Sequence, residues 1–134
     1  MHNTDRPRLD KLMALLGGPI RLDIIRLLAQ KTESVSVLAD KLDHSIGLVS
    51  HNLKLLREQN IVISTRAARH RFYSLAPGIQ IERTETDARL VFEAAEGEKV
   101  NIVISLAQDT TPATGLVQAD SDRIDRFTNA NNSH

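Results

Sequence analysis

Polar and basic side chains recur at helical spacing in the middle of the chain. Ser50, His51, Lys54 and Arg57 fall within little more than two turns of a helix, on one side of it. A second basic group follows a few residues later, formed by Arg66, Arg69 and Arg71. Hydroxyl and imidazole groups form hydrogen bonds to base edges or phosphates, and ammonium and guanidinium groups bind phosphate oxygens. The residue types therefore indicate a surface that binds a polyanion.

The charge distribution along the chain has the same asymmetry. Over all 134 residues, 17 basic side chains balance 17 acidic ones. Residues 1–77, however, contain 12 Lys and Arg against 7 Asp and Glu, whereas residues 78–134 contain 5 against 10. The first part thus has an excess of five positive charges and the second an excess of five negative charges. Such a split suggests that the first part binds a polyanionic partner. On the charge counts alone, a chance distribution of solvated surface charges explains it equally well.

Composition narrows the class of protein. The length suits one domain with an appendage, and 41% hydrophobic residues suffice for a core, which must be aliphatic because only four residues are aromatic. The chain has no cysteine, so disulfides and thiolate metal ligands are excluded. No apolar run approaches the roughly 18 residues of a membrane span, and the N-terminus lacks the apolar segment of a signal peptide. We therefore expect a soluble, cytoplasmic protein.

Helical periodicity predicts four helices before residue 60. The first should extend from Arg6 to Leu16, with Asp5 as its cap and Pro7 in its first turn. Its apolar stripe, at i, i+3, i+4 and i+7, consists of Leu9, Leu12, Met13 and Leu16. This stripe is a candidate dimer contact, and packing within the subunit explains it equally well.

The other three helices follow at short intervals. The second should begin at Pro19 and end near Gln30, and the third, which is short, should follow Ser36 and use Val37, Leu38 and Leu42. The fourth should begin after Ser45 as its N-cap and end near Gln59. Its inward face would consist of Val49, Leu53 and Leu56. Asn60 suits the left-handed residue that closes it.

The hydrophobic period then changes from 3.6 to 2. The runs "IVISTR" and "HRFYSL" predict a hairpin whose turn is Ala67-Ala68-Arg69. Beyond Ala76-Pro77-Gly78, alternation around Ile79, over 88–94 and over 100–106 predicts three strands, with "EGEK" as a turn. A helix over Ala88–Ala95, capped by Asp87, is the alternative. Strands are favoured because the β-branched run 100–106 needs a partner.

The order of elements is that of a winged helix-turn-helix. We predict an α+β fold in three parts: a winged helix-turn-helix domain of four helices and a hairpin wing (1–77), a small antiparallel β-meander (78–107) and a largely disordered tail (108–134). The helix Ile46–Gln59 would enter the major groove of DNA, and the hairpin would be the wing. The candidate DNA-binding residues are Ser45, Ile46, Gly47, Ser50, His51, Lys54, Arg57, Arg66, Arg69 and Arg71.

Two stretches resemble the ArsR/SmtB family of bacterial transcriptional repressors. They are "LLGGPIRLDIIRLLAQ" and "SVSVLADKLDHSIGLVSHNLKLLREQNIVISTRAARHRFYSL", which lie within Leu15 to Leu75. The resemblance implies that Ser50, His51, Lys54 and the wing arginines occupy DNA-contacting positions. It also implies a homodimer that leaves its operator when an effector binds.

The chain departs from the family at the start of its fourth helix and in its sensing sites. Ile46, Gly47 and Leu48 stand where the family tends to have polar residues, and His44 replaces an aliphatic one. The short third helix has no cysteine. The expected last helix is replaced by strands, with no histidine before His134. "DSDRID" lacks the glycine and the terminal glutamate of a calcium loop. We therefore predict no metal, no cofactor and an unknown effector.

Catalytic patterns are lacking as well. "LLGGP" is not followed by the Lys-Ser/Thr of a phosphate-binding loop, and no Ser–His–acid set is suggested, so we do not expect an enzyme. The sequence predicts a DNA-binding regulator, with repression as the family's usual mode, acting as a homodimer on a pseudo-palindromic operator. The acidic meander is then a dimer interface, an effector site or a partner surface. The alternative is a winged-helix interaction module that no longer reads DNA, which the apolar Ile46 and Leu48 motivate.

Overall fold

The computed structural model describes residues 6–106, which form helices followed by two small sheets. The elements are α1 (Leu9–Leu16), α2 (Pro19–Leu28), β1 (Glu33–Ser34), α3 (Val35–Leu42), α4 (Ile46–Glu58), β2 (Val62–Ala67), β3 (His70–Leu75), β4 (Gln80–Arg83), β5 (Asp87–Glu93) and β6 (Lys99–Ser105). Both sheets are antiparallel and three-stranded, with the orders β1-β3-β2 and β4-β5-β6. The predicted α+β class, winged helix-turn-helix and meander are confirmed. The predicted tail from residue 108 lies outside the described residues.

Helix α1 begins later than the sequence predicts, and a distant segment determines where. Arg8, not Asp5, is the N-cap residue, and its side chain does not cap the helix. Instead, the backbone N–H of Leu9 donates to Glu96 Oε1 at 2.9 Å. The N–H of Ala95 donates to the carbonyl of Pro7 at 2.8 Å, which holds Pro7 outside the helix. Asp5 itself lies outside the described residues. The turn after β5 therefore supplies the cap that the sequence assigned to a local residue.

The predicted apolar stripe of α1 is divided between core and surface. Leu12 and Leu16 are buried inside the subunit, and Leu9 packs against the same core. Met13 is 53% exposed. The predicted dimer contact was the whole stripe, but two of its four residues are occupied by packing within the subunit. Of the stripe, only Met13 and part of Leu9 remain accessible to a partner.

A partly buried polar contact holds three helices together. The guanidinium of Arg21 on α2 donates to the carbonyls of Leu15 (2.8 Å) and Ala14 (3.2 Å) at the end of α1, and to Asn52 Oδ1 on α4 (3.0 Å). A Cβ at Gly18 would lie 2.5 Å from this guanidinium, so a larger residue there would displace the Arg21 side chain from these contacts. The carbonyl of Leu15 also accepts from the N–H of Gly18 at 3.3 Å, so Arg21 adds a second donor there and gives the Ala14 carbonyl a donor at the helix end.

Strand β1 was not predicted. Its two residues pair with Phe72 and Tyr73 of β3, and Ser34 also caps α3 by accepting from the N–H of Val37 at 3.3 Å. Helix α3 therefore starts at Val35, and the prediction that it follows Ser36 is wrong. Two residues are too few for any periodicity. The buried Glu33 accepts from Lys41 Nζ at 3.2 Å.

The meander follows the predicted alternation. Ala88, Leu90, Phe92 and Ala94 are all buried, and they form one core with the helices. The rival helix over 88–95 is wrong. Gly97 turns the chain between β5 and β6 with φ of +104°. Arg83 Nε donates to the carbonyl of Ala29 at 2.6 Å and so connects β4 to the end of α2.

Candidate nucleic-acid interface

Helix α4 is held by its cap at one end and by its apolar face along its length. Ser45 Oγ accepts from the N–H of Leu48 at 3.1 Å, as the sequence predicts. Asp43 adopts a left-handed conformation (φ 59°) at the end of α3, which leaves a tight turn between the two helices. Val49, Leu53 and Leu56 are fully buried. Because these residues lie on one side of α4, the opposite side faces solvent.

The ten predicted DNA-binding residues are all exposed. Six belong to α4 and one, Ser45, precedes it; three belong to β2, β3 and the turn between them. The left-handed Asn60 (φ 61°) ends the α4 segment, and the N–H of Ile61 donates to the carbonyl of Leu56 at 2.9 Å. The hairpin therefore leaves directly from the end of α4. Ser45 has a structural task as well, because its hydroxyl is already the helix cap.

One ion pair lies on the exposed face of α4. Lys54 Nζ is 2.5 Å from Glu58 Oε2, one helical turn away. The hydrogen bond and the charge of Lys54 lower the pKa of the Glu58 carboxyl, with smaller contributions from Arg57 and His51. The Glu58 carboxylate therefore competes with any phosphate for the Lys54 ammonium group.

The wing places like charges opposite one another. In the register of β2 and β3, Arg66 pairs with Arg71. Like charges directly across a ladder destabilise it, so the fold itself gains nothing from this pair. Arg71 Nη1 donates to Ser64 Oγ at 3.0 Å, while Arg69 follows Ala68, which has φ of +58° at the tip. An anion between the two strands' guanidinium groups would remove the repulsion.

The first turn of α4 is apolar and open. Ile46 is 54% exposed and Leu48 39% exposed, and a Cβ on Gly47 would meet nothing within 4 Å. An exposed aliphatic side chain at the start of such a helix suits contact with a thymine methyl group. Packing within residues 6–106 does not explain why Gly47 is glycine, because an alanine methyl group would fit.

Sequence reasoning missed the residue that orients α4. Asn52 is buried on the inward face, where its Nδ2 donates to the carbonyl of Leu48 at 2.9 Å and its Oδ1 accepts from Arg21. One signal was present in the sequence: an amide lies on the same helical side as Val49 and Leu56, which are apolar. A buried amide needs a partner, and that partner comes from α2.

A cavity of about 300 Å³ lies away from these residues, between α1, the base of the wing and the meander. Its walls include Leu12, Ile61 and Phe92. At one side, Arg6 Nη1 and Glu93 Oε1 form an ion pair at 3.0 Å. Within residues 6–106 no group of three or more His, Cys, Asp or Glu side chains has the geometry of a metal site. No helix in that range is both long and apolar enough to cross a bilayer.

Comparison with known proteins finds a family model that matches part of the chain. Residues 18–64 match the model of the family described as "Bacterial regulatory protein, arsR family". The chain is 36% identical over 66 residues to a transcriptional repressor SmtB homolog of Synechocystis sp., which covers 49% of this chain. The chain spans about half the length of that curated relative (50%).

Two solved structures align with a similar share of the chain. HlyU from Vibrio cholerae is 28% identical over 52% of this chain and 75% of its own, with a TM-score of 0.49. NolR from Sinorhizobium fredii is 30% identical over 52% of this chain and 69% of its own, with a TM-score of 0.49. The family match covers α2 to α4 and the first residues of β2, and the rest of the wing lies beyond it. Residues 18–64 of this chain are thus similar to the ArsR family of bacterial regulatory proteins.

Proposed function

We propose that this protein regulates transcription by binding operator DNA as a homodimer. The observation that carries the proposal is the like-charge pair of Arg66 and Arg71 on an ArsR-type wing, next to a helix whose polar side is exposed. A fold tolerates such repulsion when a polyanion removes it.

Each part of the surface has a distinct task in this proposal. Helix α4 enters the major groove, where Ser50 and His51 contact bases and Ile46 contacts a thymine methyl group. Lys54 and Arg57 bind phosphates. The wing arginines bind the adjacent backbone or enter a narrow minor groove. Two subunits bind half-sites about one helical turn apart, which makes the operator a pseudo-palindrome.

Repression by occupying the operator is the mode we propose. It is supported by the similarity to a protein described as a transcriptional repressor. In the family-like dimer, α1 would contact the second copy through Met13 and the accessible part of Leu9. An effector would act by changing the affinity of this dimer for its operator.

A salt titration on random duplex DNA tests the proposal. Lys54→Ala and Arg69→Ala should each weaken binding to all sequences alike and reduce the slope of log K against log salt by about 0.9. Lys11→Ala, which removes an exposed charge from α1, is the matched control and should leave the slope unchanged. Equal slopes in all three variants would show that α4 and the wing do not bind phosphates.

The second candidate is an interaction module that does not read DNA. It is favoured by the exposed Ile46 and Leu48, which give the first turn of α4 an apolar surface. Selection from a random duplex pool separates the two functions. A two-fold symmetric consensus supports the regulator, and no enrichment at low salt supports the module.

A further inference from the structure

The two edges of the meander sheet differ in a way that points to a partner. Strand β4, at one edge, has four residues, and two of them are the charged Glu82 and Arg83. Strand β6, at the other edge, has seven residues with the sequence KVNIVIS. Proteins protect edge strands by keeping them short or by placing charges on them. Strand β4 is protected in both ways, and β6 has a single charge at its first residue.

The backbone of β6 alternates between its neighbour and the open edge. The N–H of Leu106 donates to the carbonyl of Thr86, and the N–H of Ala94 donates to that of Glu98, so even-numbered residues of this strand face β5. In an antiparallel ladder, the intervening residues direct their N–H and C=O groups the other way. The backbone N–H and C=O groups of Lys99, Asn101 and Val103 therefore point to the open edge of the sheet. No other strand within residues 6–106 pairs with β6 at that edge.

The side chains of β6 remain accessible on both faces of the sheet. Val103 is 63% exposed on the outer face. On the inner face, Val100 and Ile102 are only partly buried, although their cross-strand neighbours Phe92 and Leu90 on β5 are buried. A strand added beyond β6 would cover apolar surface on both faces as well as the backbone groups.

We propose that β6 pairs antiparallel with β6 of a second copy of this chain, so that two meanders form one six-stranded sheet. The strand is self-complementary about Ile102. This register places Asn101 opposite the partner's Val103, so that residues with outward backbone groups meet. It places Ile102 opposite itself and Val100 opposite the partner's Ile104, which are pairs of β-branched residues.

Charge also favours a second copy as the occupant. The two Lys99 side chains lie at opposite ends of the paired strands, each across from Ser105 of the other copy, so like charges do not meet. The chain's own continuation after β6 reads "AQDTTPATG", which contains a proline and lacks β-branched alternation. This inference rests on the proposed homodimer and gives it a contact between the two meanders, in addition to the contact proposed for α1.

Because the natural chain has no cysteine, single-cysteine variants of the full chain report only contacts between copies. Ile102→Cys should form a disulfide-linked dimer under copper–phenanthroline, since directly opposed residues that are not hydrogen-bonded lie about 4.5 Å apart. Gln80→Cys on β4 is the matched control at the other edge and should remain uncross-linked. Cross-linking of Met13→Cys without Ile102→Cys would keep the homodimer and overturn the β6 interface.

A second pair of variants does not depend on cysteine chemistry. Val103→Lys places a charge in the interface and should raise the dimer dissociation constant roughly tenfold or more. Val103→Thr keeps the β-branched shape and should leave it nearly unchanged. Both are measured by sedimentation equilibrium, with circular dichroism as a check on folding. Equal dissociation constants, or a natural chain that stays monomeric, would overturn the interface, and random-duplex binding would then test DNA recognition separately.

Discussion

The winged part of the chain (residues 6–77) and the meander (residues 78–106) share one core but differ in how they are specified. The winged part has a basic exposed face, local serine caps on α3 and α4 and a polar contact that spans three helices through Arg21. The meander is acidic, and it is attached through scattered contacts such as Glu96 to Leu9 and Arg83 to Ala29. The difference indicates that contacts among its own helices specify the winged part, whereas the meander completes the core and leaves one strand edge unpaired within residues 6–106.

The largest expected effects test whether the two regions unfold together. Leu53→Ala in α4 and Leu90→Ala in β5 each remove a fully buried side chain, which should cost about 2–5 kcal/mol in the free energy of unfolding. Because both side chains belong to one core, each variant should show a single urea transition, shifted to lower denaturant. The helical signal at 222 nm is the measurement. If the helical signal of Leu90→Ala were lost at the same urea concentration as that of the natural chain, the meander would be an independent folding unit.

Replacing one arginine in each region compares how much their polar contacts contribute to stability. Arg21→Ala removes the guanidinium that donates to the Ala14 carbonyl and to Asn52 Oδ1, and one of two donors to the Leu15 carbonyl, so the free energy of unfolding should fall by about 1.5–3 kcal/mol. Arg83→Ala removes one hydrogen bond to a carbonyl and should cost at most about 1 kcal/mol. Urea midpoints give both values. A larger loss for Arg83→Ala would reverse the ranking and make the meander attachment the more important contact.

Alanine substitutions at Gly47 and Gly78, where an added methyl group meets no other atom within 4 Å, separate effects on stability from effects on DNA binding. Gly47→Ala should stabilise α4 by up to about 1 kcal/mol, since the new methyl group meets nothing. It should nevertheless weaken DNA binding if the backbone there approaches the duplex closely. Gly78→Ala, also into open space, should gain about 0.4–1 kcal/mol with no change in DNA affinity. Unchanged DNA affinity in Gly47→Ala would indicate that the first turn of α4 stays clear of the duplex.

The smallest effect concerns the competition for Lys54. Glu58→Gln frees the Lys54 ammonium group and should raise random-duplex affinity a few-fold, whereas Glu82→Gln in the meander should not. The lowered pKa of Glu58 means that its stabilising contribution is present at neutral pH and disappears as pH falls through that lowered value. The difference in urea midpoint between Glu58→Gln and the natural chain should therefore vanish in acid. A difference that persists there would show that the Lys54 pair does not cause the lowered pKa.

Much of the fold follows from local patterns. The Ser45 cap, the inward face of α4 and the alternation of Ala88 to Ala94 could be predicted because each depends on residues close together in the chain. The two-residue β1 and the true start of α1 could not, because Glu96 is 87 positions from the Leu9 N–H that it caps. For the candidate site, the exposed residues of α4 and the wing were identified from spacing, whereas the contact between Asn52 and Arg21 requires two helices to be adjacent.

The sequence by itself determined the order of helices and strands, the separation of charge between the two regions and the match of residues 18–64 to a family model. Those properties depend on residue type and on spacing within a few positions. Only the tertiary structure decided which part of α1 stays exposed, which edge of the meander remains open and which arginines face each other across the wing. Each of these depends on which distant segments pack together, and periodicity carries no information about that packing.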